Sequence, residues 1–271
     1  MRQTASSLRQ TARHPQASAP VRWAVLGALL GLLFALVFYA PARWLASALN
    51  QASAGQLQIV AVRGTVWTGS GRLLISGGAG SLESALLPGI VDWSLRPGWG
   101  ALNLKLSADC CTTTPLRATL KLGLRGAALQ LADGRSQWPA NMLAGLGTPW
   151  NTVQAEGSLE LSTQNLKVQW FAGRLAFDGR VELTALAMSS RLSTLKPMGS
   201  YRMTLAGGST PLLTLSTLEG SLQLSGSGSW VGSRLRFNGE ASALPEHEAA
   251  LANLLNIIGR RNGPRSIITL G

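Results

Sequence analysis

Few residues in this 271-residue chain have the chemistry to catalyse a reaction or to bind a metal ion. The two histidines are His14, near the N-terminus, and His247, which lies between two glutamates; neither has a cysteine or second histidine at metal-ligand spacing. The chain contains no phosphate-binding or dinucleotide-binding glycine motif, no G-x-S-x-G and no H-E-x-x-H. The 12 acidic residues are scattered, and Glu156 and Glu160, four apart in a strand pattern, are expected on one solvated face. The sequence therefore predicts no enzyme, no catalytic residue, and no metal or cofactor site.

The two cysteines, Cys110 and Cys111, are neighbours in the sequence. Adjacent Cα atoms lie about 3.8 Å apart, which is shorter than the usual disulfide span of about 4.4–6.8 Å. In a strand the two side chains would also point to opposite faces of the sheet. A bridge between Cys110 and Cys111 is therefore possible but strained, and the sequence does not determine whether the pair is oxidised.

The seven tryptophans outside the apolar N-terminal region are expected mainly in the core or at the rim of a sheet, with a binding surface as the alternative. They are Trp67, Trp93, Trp99, Trp138, Trp150, Trp170 and Trp230.

The formal net charge is +12, but the basic residues form no stripe of the kind that nucleic acid requires. Four arginines lie within the first 22 residues, which contain no acid. The rest of the chain has 20 basic and 12 acidic residues, an excess of +8 that is spread thinly. The composition predicts a mildly cationic surface and no nucleic-acid partner.

An uncharged, strongly apolar stretch of 20 residues runs from Trp23 to Ala42. As a helix it would span about 30 Å, the thickness of a bilayer core. It exceeds the length of a typical signal-peptide apolar region, so we predict an uncleaved signal-anchor helix over residues 23–42. The preceding arginines predict a cytoplasmic tail, residues 1–22, with the rest of the chain beyond the inner membrane. Gly27 and Gly31 are spaced as in helix-packing motifs, although such spacing is frequent in membrane helices.

After a predicted juxtamembrane linker, residues 43–56, leucines alternate with polar residues along many short segments. Leu102, Leu104 and Leu106 are one example of this period-two pattern, and Asp-Gly, Asn-Gly and Gly-Gly turns separate the segments. The pattern predicts an all-β domain over residues 57–271, antiparallel, meandering or Greek-key, either a sandwich or an open curved sheet.

Two short helices are expected to interrupt this domain. The first covers about residues 138–146 and would divide the sheet into halves at about 57–131 and 153–243. The second covers about residues 246–258, where Leu251, Leu254, Leu255 and Ile258 form an apolar stripe that is expected to cap the sheet.

Three stretches carry a resemblance to a known family. They are Arg63 to Gly69 (RGTVWTG), Val91 to Pro97 (VDWSLRP), and Phe237 to Glu240 (FNGE) followed by Leu254 to Gly259 (LLNIIG). Together with the anchor, the chain resembles protein N of the type II secretion system, the GspN family. The resemblance implies an accessory, non-enzymatic subunit of the inner-membrane platform in a Gram-negative bacterium, which supports export of folded periplasmic proteins across the outer membrane. The implied partners are the other inner-membrane subunits of the platform and the outer-membrane secretin.

Two other classes of function fit the same alternation. An AsmA-like, membrane-anchored lipid-handling protein would line an open groove with the leucine faces, leaving a continuous apolar surface. A periplasmic chaperone or cargo binder would present an exposed edge strand.

Overall fold

The computed structural model describes residues 21–78, 80–81, 83–123, 126–171, 174–232 and 234–271. Most of the predicted N-terminal tail, including His14, lies outside these residues. By its internal contacts the chain divides into two units, Met1–Ala40 and Pro41–Gly271.

In the first unit, helix α1 comprises Val21–Phe38 and is long and apolar enough to cross a membrane. It ends four residues before the predicted limit at residue 42. The reason is local: Pro41 disfavours helical backbone at the residue before it, and the chain is extended at Pro41 itself.

The second unit begins with helix α2, Ala42–Ala52, within the stretch that was assigned to a linker. Its buried residues, Ala42 and Ala46, lie one turn apart, and the helix packs against the first strand. The sequence analysis missed this helix because it follows the apolar stretch with no polar boundary between them.

The remaining residues form one antiparallel sheet, which confirms the all-β prediction. The strands in chain order are β1 (Leu57–Gly64), β2 (Thr68–Ser76), β3 (Ser84–Leu86), β4 (Val91–Gly98), β5 (Ala101–Ala108), β6 (Leu116–Gly123), β7 (Gly126–Leu131), β8 (Gly134–Pro139), β9 (Glu156–Phe171), β10 (Arg174–Ser189), β11 (Gly199–Ala206), β12 (Leu212–Gly220), β13 (Leu222–Val231), β14 (Arg234–Ala243), β15 (Arg260–Asn262) and β16 (Arg265–Leu270).

The sheet is an open meander. Its path is β1-β2-β4-β5-β6-β7-β9-β10-β11-β12-β13-β14-β16-β15, with β3 added beside β2 and β8 beside β9. Within the part of the chain that the structure describes, β1 and β15 do not pair with each other, so this is neither a barrel nor a sandwich.

The predicted first helix does not divide the sheet. The structure has there a 3-10 helix, Ala140–Leu146, and the one-turn helix α3, Trp150–Val153. The two 16-residue strands β9 and β10 pair with each other, and β9 also pairs with both β7 and β8. The two sequence halves therefore share one continuous hydrogen-bonded ladder.

A β-bulge lies in the middle of the β9–β10 pair. The register shifts between Asp178 and Arg180, and Gly179 has φ +93°. A Cβ atom at Gly179 would lie 2.7 Å from the carbonyl oxygen of Gln164, so only glycine fits.

The C-terminal helical segment consists of a 3-10 turn, Pro245–His247, and helix α4, Glu248–Ile258. Leu251, Leu254 and Leu255 of α4 are buried in the main core together with Leu159, Tyr201, Leu222 and Ala241 of the sheet. A second, smaller cluster contains Leu87, Val91, Ala108 and Cys111, and Trp138 packs against both clusters.

Candidate interaction surfaces

The meander gives the sheet two chemically different ends. Consecutive antiparallel neighbours place the β1–β2, β4–β5, β6–β7, β9–β10, β11–β12 and β13–β14 turns at one end, which we call the hairpin end. Leu270, opposite Phe237, lies at this end as well. The other end, which we call the helix end, holds the β5–β6 and β12–β13 turns and the buried core under α4.

The cysteine pair lies at the helix end, in the turn between β5 and β6, and it forms a disulfide. The geometric argument against a bridge therefore does not hold. It assumed strand geometry, whereas residues 109–111 form a turn, so the alternation of a strand does not separate the two side chains. Cys111 is buried and Cys110 is exposed.

An open pocket of about 310 Å³ lies beside this disulfide. Its walls include Arg135, Gln137 and Glu160 of β8 and β9. Glu160 is thus half-buried against a pocket, while Glu156 forms an exposed ion pair with Lys196 at 3.2 Å. These two glutamates, expected on one solvated face, have different environments.

Among the described residues, no group of three or more histidine, cysteine, aspartate or glutamate side chains could hold a metal ion. His247 is half-buried at the N-terminus of α4. In the described part of the chain the acids and bases form four ion pairs, two of them at the helix end: Lys196–Glu156 and Arg261–Glu248.

Tyr201 is the most perturbed titratable group described. Burial raises the pKa of its hydroxyl well above the usual range. The oxygen is fully buried and has no hydrogen-bond partner within the described structure. The hydroxyl lies in the main core at the helix end, so we assign it a packing role.

The tryptophans divide between the core and the surface. Trp93 is buried and donates from its ring nitrogen to the carbonyl oxygen of Val66 at 3.1 Å, and Trp138 donates to the Ser136 hydroxyl at 2.8 Å. Trp99, in the β4–β5 turn, is fully exposed, and Trp150 and Trp170 are also exposed. The sequence left both core and surface positions open for the tryptophans. The structure places Trp93 in the core and exposes Trp99, Trp150 and Trp170.

The hairpin end exposes a set of large apolar side chains next to its turns, and sequence reasoning did not group them as one surface. They are Trp99, Leu122, Phe171, Leu175, Val231 and Leu270. An open, mostly apolar groove of about 760 Å³ lies among them, between β6, β7 and β9. The sequence did contain a signal for these side chains, because the alternation of leucines and aromatic residues continues into the turns. Only the strand order shows that these turns lie at the same end of the sheet.

These features define a class of protein: one apolar helix long enough for a membrane, followed by an open antiparallel sheet with apolar faces. Within that class, the family model described as "Type II secretion system (T2SS), protein N" matches residues 55–268. The chain belongs to this family, which is one of secretion components and is not known as an enzyme family. Comparisons with curated proteins and with solved structures gave no match.

Proposed function

We propose that the protein is an accessory structural subunit of the inner-membrane platform of the type II secretion system. The observation that carries the proposal is the family match over residues 55–268, which covers nearly all of the β sheet. The apolar helix α1 adds a means of attachment to the inner membrane. In this role the protein supports the export of folded periplasmic proteins across the outer membrane without catalysing a reaction.

The proposed topology is a single pass with the N-terminus in the cytoplasm and the sheet in the periplasm. Its support is the charge asymmetry of the sequence, because the 22 residues before the apolar stretch contain four arginines and no acid. The disulfide agrees with it, since disulfides persist in the oxidising periplasm. Fusing alkaline phosphatase, which is active only in the periplasm, to the C-terminus tests this topology, and an inactive fusion would contradict it.

The proposed partners are the other inner-membrane subunits of the platform, with the secretin as a further candidate. The test is to cross-link the full-length chain in membranes, extract it with detergent and identify co-purifying proteins and lipids together by mass spectrometry. Recovery of platform subunits supports the proposal. Recovery of abundant phospholipid without those subunits contradicts it and supports the AsmA-like alternative, which the family match does not favour.

The two glycines of α1 offer a matched pair of variants for this experiment. Apart from its chain neighbours and the backbone of α1 itself, no described atom lies within 4 Å of a Cβ atom built at Gly27 or Gly31. If α1 packs against the helix of another subunit through these glycines, Gly27→Leu lowers the recovery of that subunit because the helices can no longer approach closely. Ala28→Leu, about 100° further around the helix, is the control and should leave recovery unchanged.

A further inference from the structure

The hairpin end combines exposed aromatic and aliphatic side chains with a predominantly basic charge. Its exposed basic side chains include Arg63, Arg96, Lys121, Arg234 and Arg236. In the sequence, residues 63–70, 95–104, 118–131, 168–177, 205–213 and 228–237 contain no aspartate or glutamate at all. Two exposed acids border this surface: Asp92 lies opposite Ser70, and Asp178 lies beside Gly207 of the β11–β12 turn. The other ten acids lie elsewhere in the chain, among them Glu83, Asp109, Glu156, Glu219 and Glu246.

The chain also enters the β-rich unit at this end. Pro41, the first residue of the unit, forms an isolated β-bridge with Thr65 in the β1–β2 turn. In the sequence only Tyr39 and Ala40 separate Pro41 from Phe38, the last residue of the apolar helix. Three residue steps of an extended chain reach at most about 11 Å. A membrane that holds the apolar helix must therefore lie close to the β1–β2 turn.

From these two observations we propose that the hairpin end rests on the surface of an anionic phospholipid bilayer. Tryptophan prefers the headgroup layer, where an apolar ring and a polar environment meet, and phenylalanine and leucine beside it can be buried at the boundary with the acyl chains. Arginine and lysine beside them are attracted to anionic headgroups, and the excess of basic over acidic residues at this end outweighs repulsion from the two bordering acids. A protein partner would also cover apolar side chains, but the position of Pro41 favours the membrane as the occupant.

This contact would hold the sheet upright on the membrane and leave the helix end directed away from it. The surface available to soluble partners is then the helix end and the two faces of the sheet. The inference rests on the membrane attachment in the proposed function, and it adds which end of the sheet meets the lipid.

Strand β12 offers a matched pair of positions for a test. Leu212, at the hairpin end, is 45% exposed, and Leu218, near the helix end, is 42% exposed. They are the same residue type on the same strand, about 20 Å apart. Because the only native cysteines are bonded to each other, Leu212→Cys or Leu218→Cys introduces the only free thiol.

In the experiment, the full-length variants carry a polarity-sensitive fluorophore on that thiol. They are reconstituted into vesicles of phosphatidylglycerol and phosphatidylcholine, part of which carries a spin label in the headgroup layer. We expect several-fold stronger quenching at position 212 than at position 218, with blue-shifted emission at 212. Equal quenching at the two positions would overturn the inference.

Two further measurements separate the possible failures. Flotation of the vesicles reports whether the chain is anchored in them. If the chain floats but quenching is equal at the two positions, the lipid contact is refuted and the membrane anchor is not. If the chain does not float, the membrane anchor itself is refuted. The double variant Arg234→Gln and Arg236→Gln should weaken quenching at position 212, while Arg191→Gln in the loop after β10 should not. A position-212 probe that contacts only protein in whole cells would also overturn the inference.

Discussion

The two ends of the sheet use the same alternating leucines in opposite ways. At the helix end, α4 and the 3-10 helix cover the strand leucines, and Leu159 and Leu222 are buried against them. At the hairpin end, Leu122, Leu175 and Leu270 lie next to the turns and are each more than half exposed. Because burial of apolar area is the main stabilising term, we expect substitutions at the helix end to affect stability more than substitutions at the hairpin end, whose apolar side chains are exposed.

The largest effect that would test this contrast comes from truncating a leucine at each end. Leu251→Ala removes a side chain with 0% exposure, so we expect a loss of about 3 kcal/mol in the free energy of unfolding. Leu175→Ala, at a site that is 64% exposed, should change it by less than about 0.5 kcal/mol. Denaturant unfolding of both variants provides the measurement, and similar losses would refute this difference between the two ends.

The next effect concerns glycines. A Cβ atom at Gly199, where β11 begins at the helix end, would lie 2.6 Å from the carbonyl oxygen of Glu219 and 2.8 Å from the Tyr201 hydroxyl. Gly199→Ala should therefore cost about 2 kcal/mol through overpacking. At the hairpin end, the one described atom other than its chain neighbours within 4 Å of a Cβ atom at Gly123 is the Gly126 carbonyl oxygen, at 3.5 Å, and Gly123→Ala should be nearly neutral. Thermal unfolding of the two variants gives the comparison. If Gly199→Ala does not lower the stability, the backbone around Gly199 is packed less tightly than the structure shows.

A pH effect should follow from Tyr201. Because burial raises the pKa of Tyr201, the folded state keeps the hydroxyl proton above pH 10, whereas the unfolded state loses it. The unfolded state then binds fewer protons, so stability falls by up to about 1.4 kcal/mol per pH unit above pH 10.

Tyr201→Phe should remove this part of the alkaline loss. At neutral pH the variant should be at least as stable as the native chain, because its lost hydroxyl has no hydrogen-bond partner among the described residues. Unfolding free energies of both proteins at pH 8 and pH 11 give the comparison. If the unfolding free energies of the two proteins fall by the same amount between pH 8 and pH 11, the Tyr201 hydroxyl is solvated and the helix end is more open than the structure shows.

The smallest effect is expected at the disulfide. Cys110 and Cys111 are adjacent, so their bond closes almost no loop, and Cys110→Ser should cost less than about 1 kcal/mol. Cys111→Ser should cost about 1 kcal/mol more, because it also buries a hydroxyl next to Leu87 and Val91. A thiol assay of the unfolded, unreduced native chain should find no free thiol, and detection of two would contradict the bridge.

The comparison of the two ends also separates what sequence could and could not predict. The leucine alternation predicted strands, since period two follows from strand geometry alone. Helix Ala42–Ala52 was missed because it begins directly after the apolar stretch, and the disulfide was left undecided because the turn at residues 109–111 was not recognised. The split into halves failed because pairing of β7 with β9 joins residues about 40 positions apart.

The sequence by itself determined the apolar helix, the all-β class, the absence of enzyme motifs and the family resemblance, because each of these depends on residues that are close together in the chain. Only the tertiary structure decided that the sheet is one open meander, that α4 covers one end of it, and that the acid-free turns with Trp99, Phe171 and Leu175 lie together at the other. The physical reason is that strand order and register are set by contacts between distant segments, and these contacts determine which of many equivalent leucines become buried.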